Sequence, residues 1–165
     1  MGYEAQNLED GNRTTLVGGP GNQFYGKLNG EFAVYRDDSS GVRLPYYKKI
    51  WSSDPPVEIV AEDNATLSGY TIIHDKTVLV STEGWASIYI FEIGKDTYAR
   101  KIIGENGNVI VRPRLFGDLL VWADNRNGTF DIYGLYLSKE NAKPFQITDD
   151  DTTDESIPGK ATFIL

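Results

Sequence analysis

The 165-residue chain has no cysteine, one histidine and one methionine. Missing thiols exclude disulfides, thiolate metal sites and cysteine nucleophiles together. They leave the redox compartment open, because a chain of this length can bury a core without staples. His74, in TIIHDKT, stands alone, which rules out a histidine metal cluster and a serine, histidine and aspartate triad with a base to spare. Without a positioned base the serines and threonines have no activating partner. No stretch approaches the roughly 18 to 20 apolar residues that cross a bilayer. The opening MGYEAQNLED lacks the basic and apolar regions of a secretion signal, so a chain soluble as given, with no membrane insertion, is expected. Basic residues are also scarce, 16 against 24 acidic, for a net charge of −8 and a pI near 4.6. Such a surface repels phosphate backbones, which makes nucleic acid a poor partner.

What the chain does have is 17 glycines, 10 tyrosines, 3 tryptophans and many threonine, valine and isoleucine residues. These favour short strands and tight turns, and no convincing amphipathic helix is present; an all-β fold follows. Two repeating registers then organise the sequence. The first is a short apolar strand after a turn, in GEFAVYRDD, KTVLVSTEG, GDLLVWADN and GKATFIL. Its equivalent positions Val34, Val80, Val121 and Phe163 are spaced by 46, 41 and 42 residues. The second pairs a tyrosine with an aliphatic four residues on, at Tyr46 and Ile50, Tyr89 and Ile93, and Tyr133 and Leu137. One step back it lands on Leu8, with the tyrosine one place early at Tyr3. Each aliphatic is followed by a turn and a further strand: RTTLV, containing Leu16, then PVEIV, ARKII and PFQIT.

Each unit therefore reads as four short antiparallel strands, a to d, with a period suited to a β-propeller blade. A sheet this small cannot bury both faces alone, and packing blade on blade would bury them. The expected units are 20–63, 64–106 and 107–150, with strands c and d of a fourth blade at 1–19 and its strands a and b at 151–165.

The third unit resembles the TolB-like propeller repeats of periplasmic and cell-surface proteins, whose pattern is V-W-x-D-x-R-N-G-x-x-D-I-Y and, further on, Q-I-T. The match is carried by Val121, Trp122, Asp124, Arg126, Asn127, Gly128, Asp131, Ile132, Tyr133, Gln146, Ile147 and Thr148. The other units follow it more loosely. The resemblance implies a propeller in an extracellular, cell-surface or periplasmic setting and leaves the activity open. Within the motif, Asn-Gly is a strong hairpin signal because both residues tolerate positive φ. Asp124 and Asp131 are expected to accept hydrogen bonds from the turn backbone or from Arg126, a turn-stabilising role in preference to a ligand site.

The two half blades are complementary, and alone each would expose an unpaired edge. Tyr3, Leu8, Leu16 and Phe163 are thus the candidates for blade closure or assembly. Closure within the chain, exchange in an eight-bladed dimer, head-to-tail exchange in a fibre, and excision from a longer propeller all satisfy the pattern. The expected partners are the chain itself or another protein through the terminal strands, and glycans.

Chemistry is sparsely signalled. Asp149, Asp150, Asp151 and Asp154, in DDDTTDES, form a solvated loop or a Ca²⁺ site, although the EF-hand order is absent. No other cofactor is indicated. The pairs Asp37 with Asp38 and Glu62 with Asp63 are candidates for carboxylate catalysis, but they lie in predicted turns, where solvated carboxylates are the ordinary finding. Trp51 and Trp85 lie beside turns and are candidate platforms for a sugar or peptide. Three sequons, at Asn12, Asn64 and Asn127, also fall in predicted turns. A non-enzymatic scaffold or binding module is therefore expected, its rival being a regulatory or carbohydrate-active propeller domain of a hydrolase.

Overall fold

The computed structural model describes residues 3–18, 20–104 and 110–148. Among these the fold is all-β, with fourteen strands and one 3-10 turn at Glu83–Trp85. A two-stranded sheet, β1 (Tyr3–Gln6) and β2 (Arg13–Val17), is followed by three four-stranded sheets, each an antiparallel meander in chain order. The first comprises β3 (Gln23–Asn29), β4 (Phe32–Asp37), β5 (Leu44–Lys49) and β6 (Val57–Glu58). The second comprises β7 (Thr71–His74), β8 (Thr77–Ser81), β9 (Ser87–Glu92) and β10 (Arg100–Gly104). The third comprises β11 (Ile110–Phe116), β12 (Leu119–Asp124), β13 (Asp131–Tyr136) and β14 (Phe145–Gln146). The segments expected as strands a to d form the strands of each sheet. The expected half blade at 151–165, with Phe163, lies outside the described residues, as do Asp149, Asp150, Asp151 and Asp154.

The middle strands TVLVS, SIYIFE and LLVWAD are buried along nearly their whole length. An antiparallel sheet with one wet face would alternate instead, so continuous burial means that both faces are covered. Alternate residues of each strand enter different apolar layers. Ala33 and Tyr35 of β4 pack with Ala5, Leu16 and Val17 of the two-stranded sheet. Phe32 and Val34, on the other face, pack with Val78, Val80, Tyr89 and Phe91 of the second sheet. Leu79, Ile88 and Ile90 pack in turn with Leu120, Trp122, Tyr133 and Leu135 of the third. The sheets are thus stacked in chain order with one layer of core between each neighbouring pair.

The first three strands of the first and third sheets repeat each other position for position, 87 residues apart. Tyr35 stacks on Tyr46 with ring centroids 5.9 Å apart, and Trp122 stacks on Tyr133 at 6.2 Å. Asp37 accepts the Ser39 amide at 2.7 Å, and Asp124 accepts the Arg126 amide at 2.8 Å. The first strand of each sheet carries a bulge, with Tyr25 at φ 54° and Arg112 at φ 51°. An extra residue in a left-handed conformation re-aims a strand locally, and both bulges lie at the same distance ahead of Val34 and Val121.

One sequence-derived equivalence does not hold. Ile50, Ile93 and Leu137 close their third strands because each amide donates to a carbonyl in the turn between the first two strands: Glu31 at 2.8 Å, Lys76 at 2.9 Å and Asp118 at 2.8 Å. Leu8 should match them, yet it lies at the tip of the β1–β2 hairpin and is 93% exposed. There the chain turns back through the Asn7 amide, which donates to the Asn12 carbonyl at 2.8 Å, and the Gly11 amide, which donates to the Asn7 carbonyl at 2.9 Å. Tyr3 and Leu16 do sit in the layer against the first sheet.

Candidate functional site

In a four-stranded antiparallel meander, the loop between the second and third strands shares one edge with the connection entering the first strand. Along that edge, Arg43 of the β4–β5 loop, residues 68–70 and the turn at Glu83 and Gly84 meet where the first and second sheets adjoin. There they bound a cleft of about 250 Å³.

Arg36 forms its floor. It is next to last in β4, on the face that continues from Phe32 and Val34 toward the second sheet, and is only 8% exposed. Its Nη1 donates to the Ser68 carbonyl at 2.5 Å, and its guanidinium lies 4.5 Å from the centroid of the Tyr25 ring. Among the described residues the Nε–H has no hydrogen-bond partner, nor has the buried Ser68 hydroxyl. Burial disfavours the charged guanidinium and pulls its pKa below the ordinary value. Arg43 adds a second, exposed guanidinium, stacked 4.4 Å from the Phe24 ring centroid. The Tyr25 bulge, repeated at Arg112 in the third sheet, here puts a ring over Arg36.

The far wall comes from the second sheet. Gly69 donates its amide to the Ser81 carbonyl at 2.9 Å, and the Tyr70 amide donates to Ser81 Oγ at 2.7 Å. A Cβ on Gly69 would overlap Ser81 Oγ and the Thr82 carbonyl, so only glycine lets this connection lie against β8. Glu83 and Gly84, in the 3-10 turn, complete the rim.

The residues singled out from sequence fall elsewhere or in supporting places. Asp124 is buried and accepts hydrogen bonds from Trp122 Nε1 at 3.1 Å, the Arg126 amide at 2.8 Å and Arg126 Nη2 at 2.6 Å. Asn127 Nδ2 donates to the Tyr133 hydroxyl at 2.9 Å, and Gln146 Nε2 donates to Asp131 at 3.1 Å. Gly128 has φ 102°, whereas Asn127 is not in the positive region. The hairpin expected around Asn-Gly is therefore a longer loop, 125–130, closed by the Gly128 amide on the Asn125 carbonyl at 2.9 Å. Trp51 is 52% exposed beyond β5, at the edge opposite the cleft. The backbone of Trp85 ends the turn that supplies Glu83 and Gly84, and its side chain is outside the description.

The carboxylate pairs are divided among structural partners. Asp38 accepts the Asn22 amide at 2.7 Å, and Asp37 accepts from Gln23 Nε2 at 2.7 Å as well as from Ser39. Burial pushes the Asp37 carboxyl up, but these hydrogen bonds outweigh it and hold the group below its ordinary value. Glu62 accepts the Lys101 amide at 3.2 Å, while Asp63 binds Lys101 Nζ at 3.0 Å and the Tyr89 hydroxyl at 2.9 Å. His74 lies in the β7–β8 hairpin, its Nδ1 3.5 Å from Asp75.

Sequence reasoning missed Arg36 and Arg43. A signal existed: F-A-V-Y-R alternates an arginine onto the same strand face as Phe32 and Val34, where a charge is unexpected. Neither a protein-family model nor a curated protein matches this sequence.

Proposed function

We propose that this chain is a non-enzymatic β-propeller module of a secreted or cell-surface protein, with three complete blades and a fourth shared between its ends. It acts as a scaffold and binding platform, by shape complementarity and strand pairing with no turnover. The observation that carries this is the stack itself, in which consecutive four-stranded meanders share apolar layers and a two-stranded sheet covers the outer face of the first. β7 contacts both β3 and β11, as expected of first strands that converge around an axis. The motif shared with TolB-like repeats gives the same architecture from the sequence side. In this arrangement β1, paired among the described residues only with β2, takes its missing neighbour from 151–165.

The test is removal of residues 149–165. The shortened chain should melt several degrees lower and gain mass with concentration in light scattering, and a synthetic 151–165 peptide should restore the melting temperature. Unchanged melting and mass after truncation would refute the shared blade. For the intact chain, a monomer mass at all concentrations assigns closure within one molecule, and a doubled mass assigns exchange between two.

A further inference from the structure

We propose that the cleft between the first and second sheets binds a small monoanionic ligand through a carboxylate, and that the ligand is a uronate-type sugar residue. The site does not depend on how the fourth blade closes, because every group in it belongs to the two adjoining sheets.

The physical case begins with Arg36. An arginine that is only 8% exposed should have its guanidinium matched by a counter-charge and fully hydrogen-bonded, since burying a cation without them is costly. Arg36 has neither: it forms no ion pair among the described residues, and its Nε–H is unpartnered beside the unpartnered Ser68 hydroxyl. A carboxylate entering the cleft supplies both, in the forked geometry that guanidinium favours. Arg43, on the exposed rim, gives the entering anion a second donor. Two arginines facing one glutamate form a locally positive spot on a chain of net charge −8, so nonspecific attraction does not account for it.

Charge and size then narrow the class. Glu83 on the opposite rim opposes a doubly charged phosphate and accepts hydrogen bonds from hydroxyl groups, as a sugar ring provides. Ser68 offers a further hydroxyl contact. A volume of about 250 Å³ lies below the range of roughly 300 to 1,000 Å³ that holds drug-sized ligands, which suits one ring and not a chain of them. The Tyr25 and Arg36 pair supplies a flat, amphipathic floor.

Glucuronate, glucose, acetate and alanine, each titrated into the full chain and followed by calorimetry or ligand-observed NMR, test this. Glucuronate should bind, with glucose and acetate at least ten-fold weaker. Arg43→Gln, at an exposed position, should fold normally and lose at least ten-fold in affinity, and Arg43→Lys should lose less. Arg36→Met should abolish binding, with its melting temperature recorded to separate loss of the site from loss of the fold. Binding of glucose as tight as glucuronate, no binding of glucuronate, or undiminished binding by a folded Arg43→Gln overturns the proposal. Tighter binding of alanine overturns the assignment to a sugar.

Discussion

Asp124 shows how one side chain can hold a loop. It is 1% exposed and gathers the Trp122 indole N–H, the Arg126 amide and the Arg126 guanidinium. Asp124→Ala should cost about 3 kcal/mol or more in urea denaturation, because it strands buried donors as well as removing bonds. Asp37→Ala, at the equivalent position 87 residues earlier but less buried and without an arginine partner among the described residues, should cost less. Equal losses would mean that the arginine contributes nothing. Titration offers a second check at this scale. Asp37 and Asp63 sit below their ordinary values, so their contribution is complete above the carboxylate range near 4 and is lost as pH falls through the folded values. Lys101 is raised by its bonds to Asp63 and Tyr89, and Tyr46 and Tyr89 are raised chiefly by burial. The folded chain therefore holds these protons more tightly, and stability is lost as pH rises past about 10. Melting curves across pH should fall at both ends, with Lys101→Met flattening the alkaline limb.

At the scale of elements, the connection from β6 to β7 decides how the first two sheets dock. Its residues Ile59, Ala61 and Leu67 are buried in the shared layer, and an isolated parallel bridge ties Ala61 to Ala99. Gly69 then has no room for a side chain against β8. Gly69→Ala should destabilise by about 1 to 3 kcal/mol in thermal melts, since backbone atoms as well as Ser81 must shift. Gly134→Ala should cost less, because its new methyl meets only side-chain ends, the Phe145 ring and Ile147 Cδ1, both on exposed residues that can move aside. If the order is reversed, the connection is more pliable than its packing indicates.

At the scale of the whole molecule, shared layers couple the sheets. Leu79 is 1% exposed and Leu120 is not exposed at all, and both lie between the second and third sheets. Leu120→Ala should cost about 2 to 5 kcal/mol and move the entire unfolding transition. Far-ultraviolet and near-ultraviolet circular dichroism should then give one midpoint; two midpoints would mean that the sheets unfold separately, as weakly coupled repeats can.

Much of this was legible in the sequence. The two registers located every strand of the three complete sheets, because a period-two apolar pattern and its turn residues are local properties of the chain. Tyr46, Tyr133, Asp37 and Asp124 followed from the same repeat. The register failed at Leu8, because the Asn7 amide and Asn12 carbonyl close a local turn that leaves Leu8 at an exposed hairpin tip. Arg36 and Arg43 were missed for a related reason: the cleft exists only where the end of β4 meets residues 68–70 and the Glu83 turn. The sequence alone determined the strands, their order and their pairing within each sheet, since these rest on neighbours joined by short turns. Which faces became core, and where a buried guanidinium was left without a counter-charge among the described residues, only the stacking of one sheet on the next decided, because those contacts join residues tens of positions apart.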